Sequence, residues 1–288
     1  MSISFDGRVA IVTGAGGGLG RCHALDLAAR GAKVVVNDLG GAMDGTGGSS
    51  AAAEAVVGEI KAAGGEAIAN GGSVSDPAGA QSMVDDAMKA WGRVDILINN
   101  AGILRDKTFT KVTIEDFQAV VDVHLMGAMM VTKAVWPIMK AQNFGRIVMT
   151  TSPSGLFGNF GQTNYGAAKL GLVGFMNTLK IEGAKNNIHT NAIAPVALTR
   201  MTENLIPEEA GKNLGPELIT PAVTFLCSDD APNGVVVQAA GGSFSVAAIV
   251  ENTGANLGAE AKAEDVAAAW SEITDLTGAK QRNMLQLG

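Results

Sequence analysis

Short apolar runs alternate with longer segments of helical period from the start of this 288-residue chain to about residue 240, and nothing else in it constrains the fold as much. Arg8 to Thr13 reads as a buried strand, and a glycine turn then opens a helix to about Gly31. Lys33 to Asn37 is a second strand, Asp38 to Ser50 a glycine-rich loop, and Ala51 to Ala63 a helix. Further strands are expected near Glu66 to Asn70, Ile96 to Asn99, Arg146 to Thr151, His189 to Ala194 and, last, Val235 to Ala239. Helices are expected at about 76–91, 114–141 and 163–185, and Pro137 should kink or shorten the second of these. Apolar strands joined by helical crossovers imply one parallel sheet covered on both faces, a doubly wound α/β fold. The alternation stops near residue 245. Residues 1–245 therefore read as one catalytic domain and 246–288 as a C-terminal helical extension. The extension carries one amphipathic helix, Glu264 to Asp275, with Val266, Ala267, Trp270 and Ile273 at helical spacing.

Composition narrows the function classes. Hydrophobic residues are 47% and charged residues 17%, which describes a globular chain. A formal charge of −7 argues against nucleic acid as a partner, although a local basic patch for a phosphorylated ligand stays compatible with it. Cys22 and Cys227 fit no redox or metal spacing, and His23, His124 and His189 are too scattered for a zinc site, so no metal is expected. No apolar stretch reads as a membrane span, and no signal segment precedes the first strand. A cytoplasmic protein without stable membrane insertion is the expectation.

The turn after the first strand reads Thr13-Gly14-Ala15-Gly16-Gly17-Gly18-Leu19-Gly20. Gly14 permits a sharp turn, and Gly16, Gly18 and Gly20 let the backbone and the following helix N-terminus approach a pyrophosphate. Asp38 ends the next strand, where a carboxylate can accept both hydroxyls of an adenosine ribose and would repel a 2′-phosphate. No Arg or Lys lies within the glycine loop or just after Asp38. The expectation is a Rossmann site for NAD rather than NADP.

The only tyrosine in the chain, Tyr165, stands four residues before Lys169. On a helix these side chains share a face. A nearby ammonium favours a phenolate, and the phenol then becomes a usable acid or base near neutral pH.

Taken together, these strings resemble the short-chain dehydrogenase/reductase family over about residues 5 to 245. The matching residues are T-G-x-x-x-G-x-G at Thr13 to Gly20, N-N-A-G at Asn99 to Gly102, Ser152 thirteen residues before the tyrosine, and Tyr165-x-x-x-Lys169. The resemblance implies that Tyr165 is the acid/base, that Ser152 bonds the substrate oxygen, and that Lys169 holds the nicotinamide ribose and lowers the Tyr165 pKa. It adds Leu19, Ser73, Val74, Asn100, Ala197, Leu198 and Thr199 to the cofactor site, and it implies a homodimer or homotetramer packed through the helices near 114–141 and 163–185. Two positions depart from the family. His124 stands where an asparagine usually assists a proton relay, and its ring can either shuttle protons or pack while its backbone carbonyl binds the relay water. Pro195-Val196 replaces the common Pro-Gly.

Longer strings, such as V-V-V-N-D-L-G-G at 34–41 and G-N-F-G-Q-T-N-Y at 158–165, are similar to one subgroup. Its members are the (3R)-hydroxyacyl-CoA dehydrogenase parts of peroxisomal multifunctional enzymes, also described as 17β-hydroxysteroid dehydrogenases. That implies NAD-dependent oxidation of a (3R)-hydroxyacyl-CoA in fatty-acid or steroid side-chain β-oxidation. A free steroid alcohol is the alternative substrate, and a non-catalytic NAD-binding protein the remote one. The chain ends Gln286-Leu287-Gly288 and not in a peroxisomal Ser-Lys-Leu, which suits a stand-alone version. Leu156, Phe157, Phe160 and Met201 are candidates for an apolar substrate pocket, and Arg105, Lys107, Lys111 and Arg200 for CoA phosphates. Packing in the core, for the first group, and ordinary surface charge, for the second, are the competing readings.

Overall fold

The structure, a computed structural model, describes residues 2–42, 44–199 and 213–281. The chain divides into two compact units, Met1–Val246 and Ala247–Gly288.

The first unit is built on β1 (Val9–Thr13), every residue of which is buried. A strand covered by helices on both faces has no polar side, which is why V-A-I-V-T shows no alternation. After it come α1 (Gly18–Ala29), β2 (Lys33–Asn37), α2 (Ala51–Ala62), β3 (Ala67–Asn70), α3 (Pro77–Trp91) and β4 (Ile96–Asn99). Local chemistry fixes the limits of α3. Asp76 caps its first turn by accepting from the N–H groups of Ala78 and Gly79, Pro77 opens it, and Gly92 ends it at φ 73°. Next are α4 (Ile114–Val121), a π-helical turn (Asp122–Met126) and α5 (Gly127–Gln142), which run on as one helix. The remaining elements are β5 (Gly145–Thr150), α6 (Pro153–Phe157), α7 (Thr163–Gly183), β6 (Ile188–Val196), α8 (Thr220–Leu226), β7 (Val236–Ala240) and β8 (Ser243–Ala247).

The sheet order is β3-β2-β1-β4-β5-β6-β7-β8. Every pairing from β3 to β7 is parallel. The chain winds outward from β1 to β3, then crosses back to β4. A crevice therefore opens at the carboxyl ends of β1 and β4, the place where such sheets bind ligands.

Four expectations need correction. Val235–Ala239 is not the last strand: Gly241 and Gly242, at φ 53° and 81°, turn the chain back into β8. Two consecutive positive φ values suit a tight hairpin, and glycine supplies them without strain. Pro137 lies inside α5 without ending it, and the helix stops instead at Asn143, whose φ is 54°. The continuous helix Ile114–Gln142 is long and apolar enough to cross a membrane by length and composition, contrary to expectation. In the fold it buries Val120, Val131, Val135 and Met139. Lastly, Glu264–Asp275 is not one helix. In the second unit α9 (Ala263–Ala268) and α10 (Trp270–Ile273) meet at Ala269, neither buries a residue, and both are too short to gain much from helix cooperativity. A two-residue ladder, β9 (Val250–Glu251) with β10 (Lys280–Gln281), completes that unit.

His23 on α1 is buried, with Nδ1 3.0 Å from Thr220 Oγ1 at the start of α8. Burial pushes its pKa down from 6.5 to about 4. Between those values the unfolded chain binds a proton that the folded chain does not, so stability should fall as pH drops from 6.5 to 4. Urea titrations across that range should show a smaller pH dependence in His23→Asn; an unchanged slope would contradict the assignment.

Candidate active site

The β1–α1 turn makes one wall of a groove of about 480 Å³ at the carboxyl ends of the strands. Gly14, Gly18, Leu19, Asp38, Ser73, Val74, Asn100 and Thr199, all named above as cofactor candidates, line it. Gly16 and Gly20 act differently, by leaving space. A Cβ on Gly20 would lie 2.3 Å from the Gly14 carbonyl oxygen. One on Gly16 would lie 2.8 Å from Asp38 Oδ2 and 2.7 Å from the Ala52 Cβ. The Asp38 carboxylate accepts from Gly16 N (2.8 Å) through Oδ2 and from Gly40 N (2.7 Å) through Oδ1. Each oxygen keeps a second lone pair for a ribose hydroxyl. The Arg21 guanidinium, just past the glycine turn, is ion-paired with Glu59. A glycine cradle beside a fixed carboxylate fits an adenine dinucleotide, and the groove's residues are those that would hold one.

Thr13 is a residue that the sequence reading used only as a motif position. Its Oγ1 accepts from Asn100 N and Ala101 N, both at 3.0 Å, while Asn100 Nδ2 donates to the carbonyls of Thr13 and Gly14. The N-N-A-G turn after β4 is thereby fastened to the glycine turn after β1, closing the floor of the crevice.

The catalytic candidates sit where β5 meets α7. Ser152 follows β5 and caps α6, its Oγ accepting from Ser154 N at 3.1 Å. Its own proton is thus left to donate. α6 lies close on α7, because Gly155 has no room for a Cβ beyond Lys169 Cβ at 2.7 Å. Lys169 is buried on α7, its Nζ donating to the Thr150 carbonyl at 2.5 Å and lying 5.4 Å from the Tyr165 ring centroid. Burial lowers Lys169 to about 7. Burial also pushes Tyr165 up to about 12, and a hydrogen bond from Ser152 pulls it partly back. The helical spacing brings Tyr165 and Lys169 onto one face, but burial sets the Tyr165 shift, and the lowering comes from Ser152 and not, as expected, from Lys169. In these surroundings the phenol is protonated at neutral pH.

His124, on the π-helical turn, is buried with its ring edge-on to Tyr165, centroids 5.2 Å apart. Nε2 lies 2.8 Å from the Ile103 carbonyl oxygen and 3.1 Å from the Ile103 N–H, and Nδ1 is buried with no hydrogen-bond partner. Burial holds the ring well below its usual pKa, hence neutral. Gly102 makes the fit possible, since a Cβ there would come 2.3 Å from His124 Cε1. Asp106 was not foreseen. It accepts from Gln162 Nε2 at 2.6 Å, burial raises its pKa, and its charge contributes to the upward shift of Tyr165.

The substrate side departs from expectation. Leu156 is half-buried, and Phe157 and Phe160 stand 70% and 87% exposed, so none of the three is a core residue. Arg200 and Met201 lie outside the described residues. Arg105 lines the cofactor groove, and Arg105 and Lys107 share the carboxylate of Asp116 instead of presenting free charge. On the nicotinamide side β6 runs on through Pro195 and Val196, which pair with Ala239 and Ala240. Pairing with β5 has ended two residues earlier, at Ile193, so the missing Pro195 N–H costs no ladder bond there. Ala197 is buried, Leu198 N donates to the Leu214 carbonyl at 2.6 Å, and the Thr199 side chain faces Gly18. Among the described residues no group of His, Cys, Asp and Glu could hold a metal.

A sequence model of short chain dehydrogenases matches residues 8–210. The chain belongs to the short-chain dehydrogenase/reductase family. A short-chain type dehydrogenase/reductase of Mycobacterium tuberculosis is 54% identical over 274 residues, covering 95% of this chain and 96% of the relative. Peroxisomal multifunctional enzyme type 2 of Drosophila melanogaster is 50% identical over 283 residues, 96% of this chain but 47% of the relative. The chain thus spans about half of that enzyme, whose solved full-length structure superposes with a TM-score of 0.81 at 43% identity, over 97% of this chain and 47% of that one. A 7α-hydroxysteroid dehydrogenase solved with NADH and 7-oxo glycochenodeoxycholic acid superposes with a TM-score of 0.75 at 31% identity, covering 83% of this chain and 95% of that one. A short-chain dehydrogenase/reductase uses a nicotinamide cofactor, and the groove described above suits one.

Gly16→Ala should weaken NADH binding about tenfold or more by displacing Asp38, while leaving the thermal unfolding midpoint within a few degrees. Fluorescence titration with NADH measures this, and wild-type affinity in the variant would show that Asp38 is not held as described.

Proposed function

We propose that this short-chain dehydrogenase/reductase uses NAD to oxidise a secondary alcohol to a ketone, and that its substrate is a (3R)-hydroxyacyl-CoA. The observation that carries the chemistry is the convergence of the Ser152 hydroxyl, the Tyr165 phenol and the Lys169 ammonium at the carboxyl end of β5, next to the groove. NAD, when bound, supplies the hydride acceptor. Ser152 and Tyr165 aim two donors at one substrate oxygen, where negative charge develops. Tyr165 takes the alcohol proton in oxidation and returns it in ketone reduction. His124, neutral and engaged through Nε2 with Ile103, supports Tyr165 by packing. Asp38, with no free cation beside it among the described residues, supports NAD over NADP.

The CoA ester is favoured by the relatedness to peroxisomal multifunctional enzymes over nearly the whole of this chain. A free steroid alcohol is the second reading, and the likeness to a 7α-hydroxysteroid dehydrogenase supports it. The exposed Leu170 and Ile181 of α7, 47% and 48% accessible, support a homodimer or homotetramer through that helix, and a monomer in sedimentation at micromolar concentration would remove that part of the proposal.

The test is NADH formation from (3R)- and (3S)-hydroxyacyl-CoA esters and a free 17β-hydroxysteroid. Turnover confined to the (3R) ester supports the first reading; fast turnover of the steroid with little on the ester establishes the second. Tyr165→Phe should lose at least about a thousandfold in kcat while still binding NADH. Because burial raises the Tyr165 pKa, the base form is scarce at neutral pH. Oxidation should therefore speed up as pH rises, and ketone reduction, which needs the protonated phenol, should not. A flat oxidation profile between pH 7 and pH 10 would contradict Tyr165 as the base.

A further inference from the structure

Asp38 to Ser50, the segment between β2 and α2, forms the outer wall of the cofactor groove through Leu39, Gly41, Ala42 and Gly45. It contains Gly40, Gly41, Gly45, Gly47 and Gly48. A segment so rich in glycine loses more conformational entropy than most on being fixed. Among the described residues its internal backbone bonds are local: Ser49 N to the Leu39 carbonyl at 2.8 Å, Ala42 N to the Thr46 carbonyl at 2.7 Å, and Gly45 N to the Ala42 carbonyl at 3.0 Å, with side-chain bonds from Gly40 N to Asp38 and from Thr46 to Asp44. These give the loop a shape but do not tie it to the opposite wall.

Arg105 does. It follows the N-N-A-G turn, its Nε donates to the Asp44 carbonyl at 3.0 Å, and its Nη1 reaches Asp116 Oδ1 on α4 at 3.4 Å. Beside it, Gly45 packs on Ile103, since a Cβ there would lie 3.3 Å from two Ile103 side-chain carbons. The Arg105 carbonyl accepts from Asn164 Nδ2 at 3.1 Å, and Asn164 precedes Tyr165. One residue thus links the wall beside the adenosine carboxylate to the start of the catalytic helix.

We propose that Arg105 is a positioning residue for the nicotinamide cofactor, a strap that holds the 39–49 loop across the groove and so pre-organises its outer wall. The inference rests on the groove being the cofactor site. It replaces the expectation that Arg105 binds CoA phosphates, because its guanidinium is committed to Asp44 and Asp116. A charge-assisted bond to a carbonyl is stronger than a neutral one, and without it the cofactor itself has to order the loop.

The test is binding, which needs no alcohol substrate and stands apart from the substrate assignment. In Arg105→Gln the NADH dissociation constant, followed by cofactor fluorescence, should rise about tenfold, mainly through faster release. Amide exchange should quicken in residues 39–49 and stay unchanged in α7. Asp116→Asn leaves the Asp44 bond in place and should weaken binding in the same direction by about two- to threefold. Wild-type NADH affinity and wild-type loop exchange in Arg105→Gln would overturn the proposal. So would normal NADH binding with lost affinity for a CoA ester, which would restore the phosphate reading. A wild-type chain that binds neither NADH nor NADPH would remove both this inference and the cofactor site.

Discussion

The burial of Lys169 where α7 meets β5, with Tyr165 half-buried beside it, is the constraint on which the rest of the site depends. An ammonium out of water needs fixed acceptors, and the Thr150 carbonyl at the end of β5 provides one at 2.5 Å. The exchange is reciprocal, since Thr151 Oγ1 donates to the Lys169 carbonyl at 2.6 Å. That pair of bonds locks the catalytic helix to the sheet at the point where Ser152 leaves it. Tyr165, one turn earlier on the same helix, is then held against the neutral ring of His124 and within reach of Ser152. Burial also sets the resting state of the chemistry, because it makes the phenol a held acid in place of a free base.

A second fastening joins the turns that follow the strands. Thr13 Oγ1 joins the turn after β1 to the turn after β4, and Asn37 at the end of β2 reaches Asn70 and the Gly72 carbonyl after β3. Each parallel strand delivers one turn to the crevice, and side-chain bonds between neighbouring turns make the floor continuous. The two fastenings meet near Ile103, where Gly45 of the outer loop packs on the side chain and His124 bonds the backbone. Cofactor groove and catalytic helix are therefore coupled through one short segment after β4.

What the sequence revealed follows interaction range. Strands such as V-A-I-V-T and helices with clear caps were legible, because period, cap residues and glycine turns are local signals. The Tyr165–Lys169 contact was legible for the same reason, as a helical spacing. The sign of the Tyr165 shift was not, because it depends on how much water the whole fold removes from the phenol. The partners of Arg105 were not legible, because Asp44 and Asp116 lie 61 and 11 residues away and leave no local trace. α6, five residues long, and β8, joined by two glycines, were too short to rise above the loops around them. Phe157 and Phe160 were named by proximity to the tyrosine, and the turn after α6 leaves both in solvent.

Because Tyr165 is the only tyrosine in the chain, tyrosinate absorbance reports on that one phenol. The most direct measurement of the central claim is a spectroscopic pH titration of the protein with and without NAD. The account requires that the free protein forms no tyrosinate until pH nears 12, well above an ordinary phenol, and that NAD, whose oxidised ring is cationic, brings the titration to lower pH. A normal titration near pH 10 that NAD leaves unmoved would show an exposed, uncoupled phenol, and the acid/base assignment would fall.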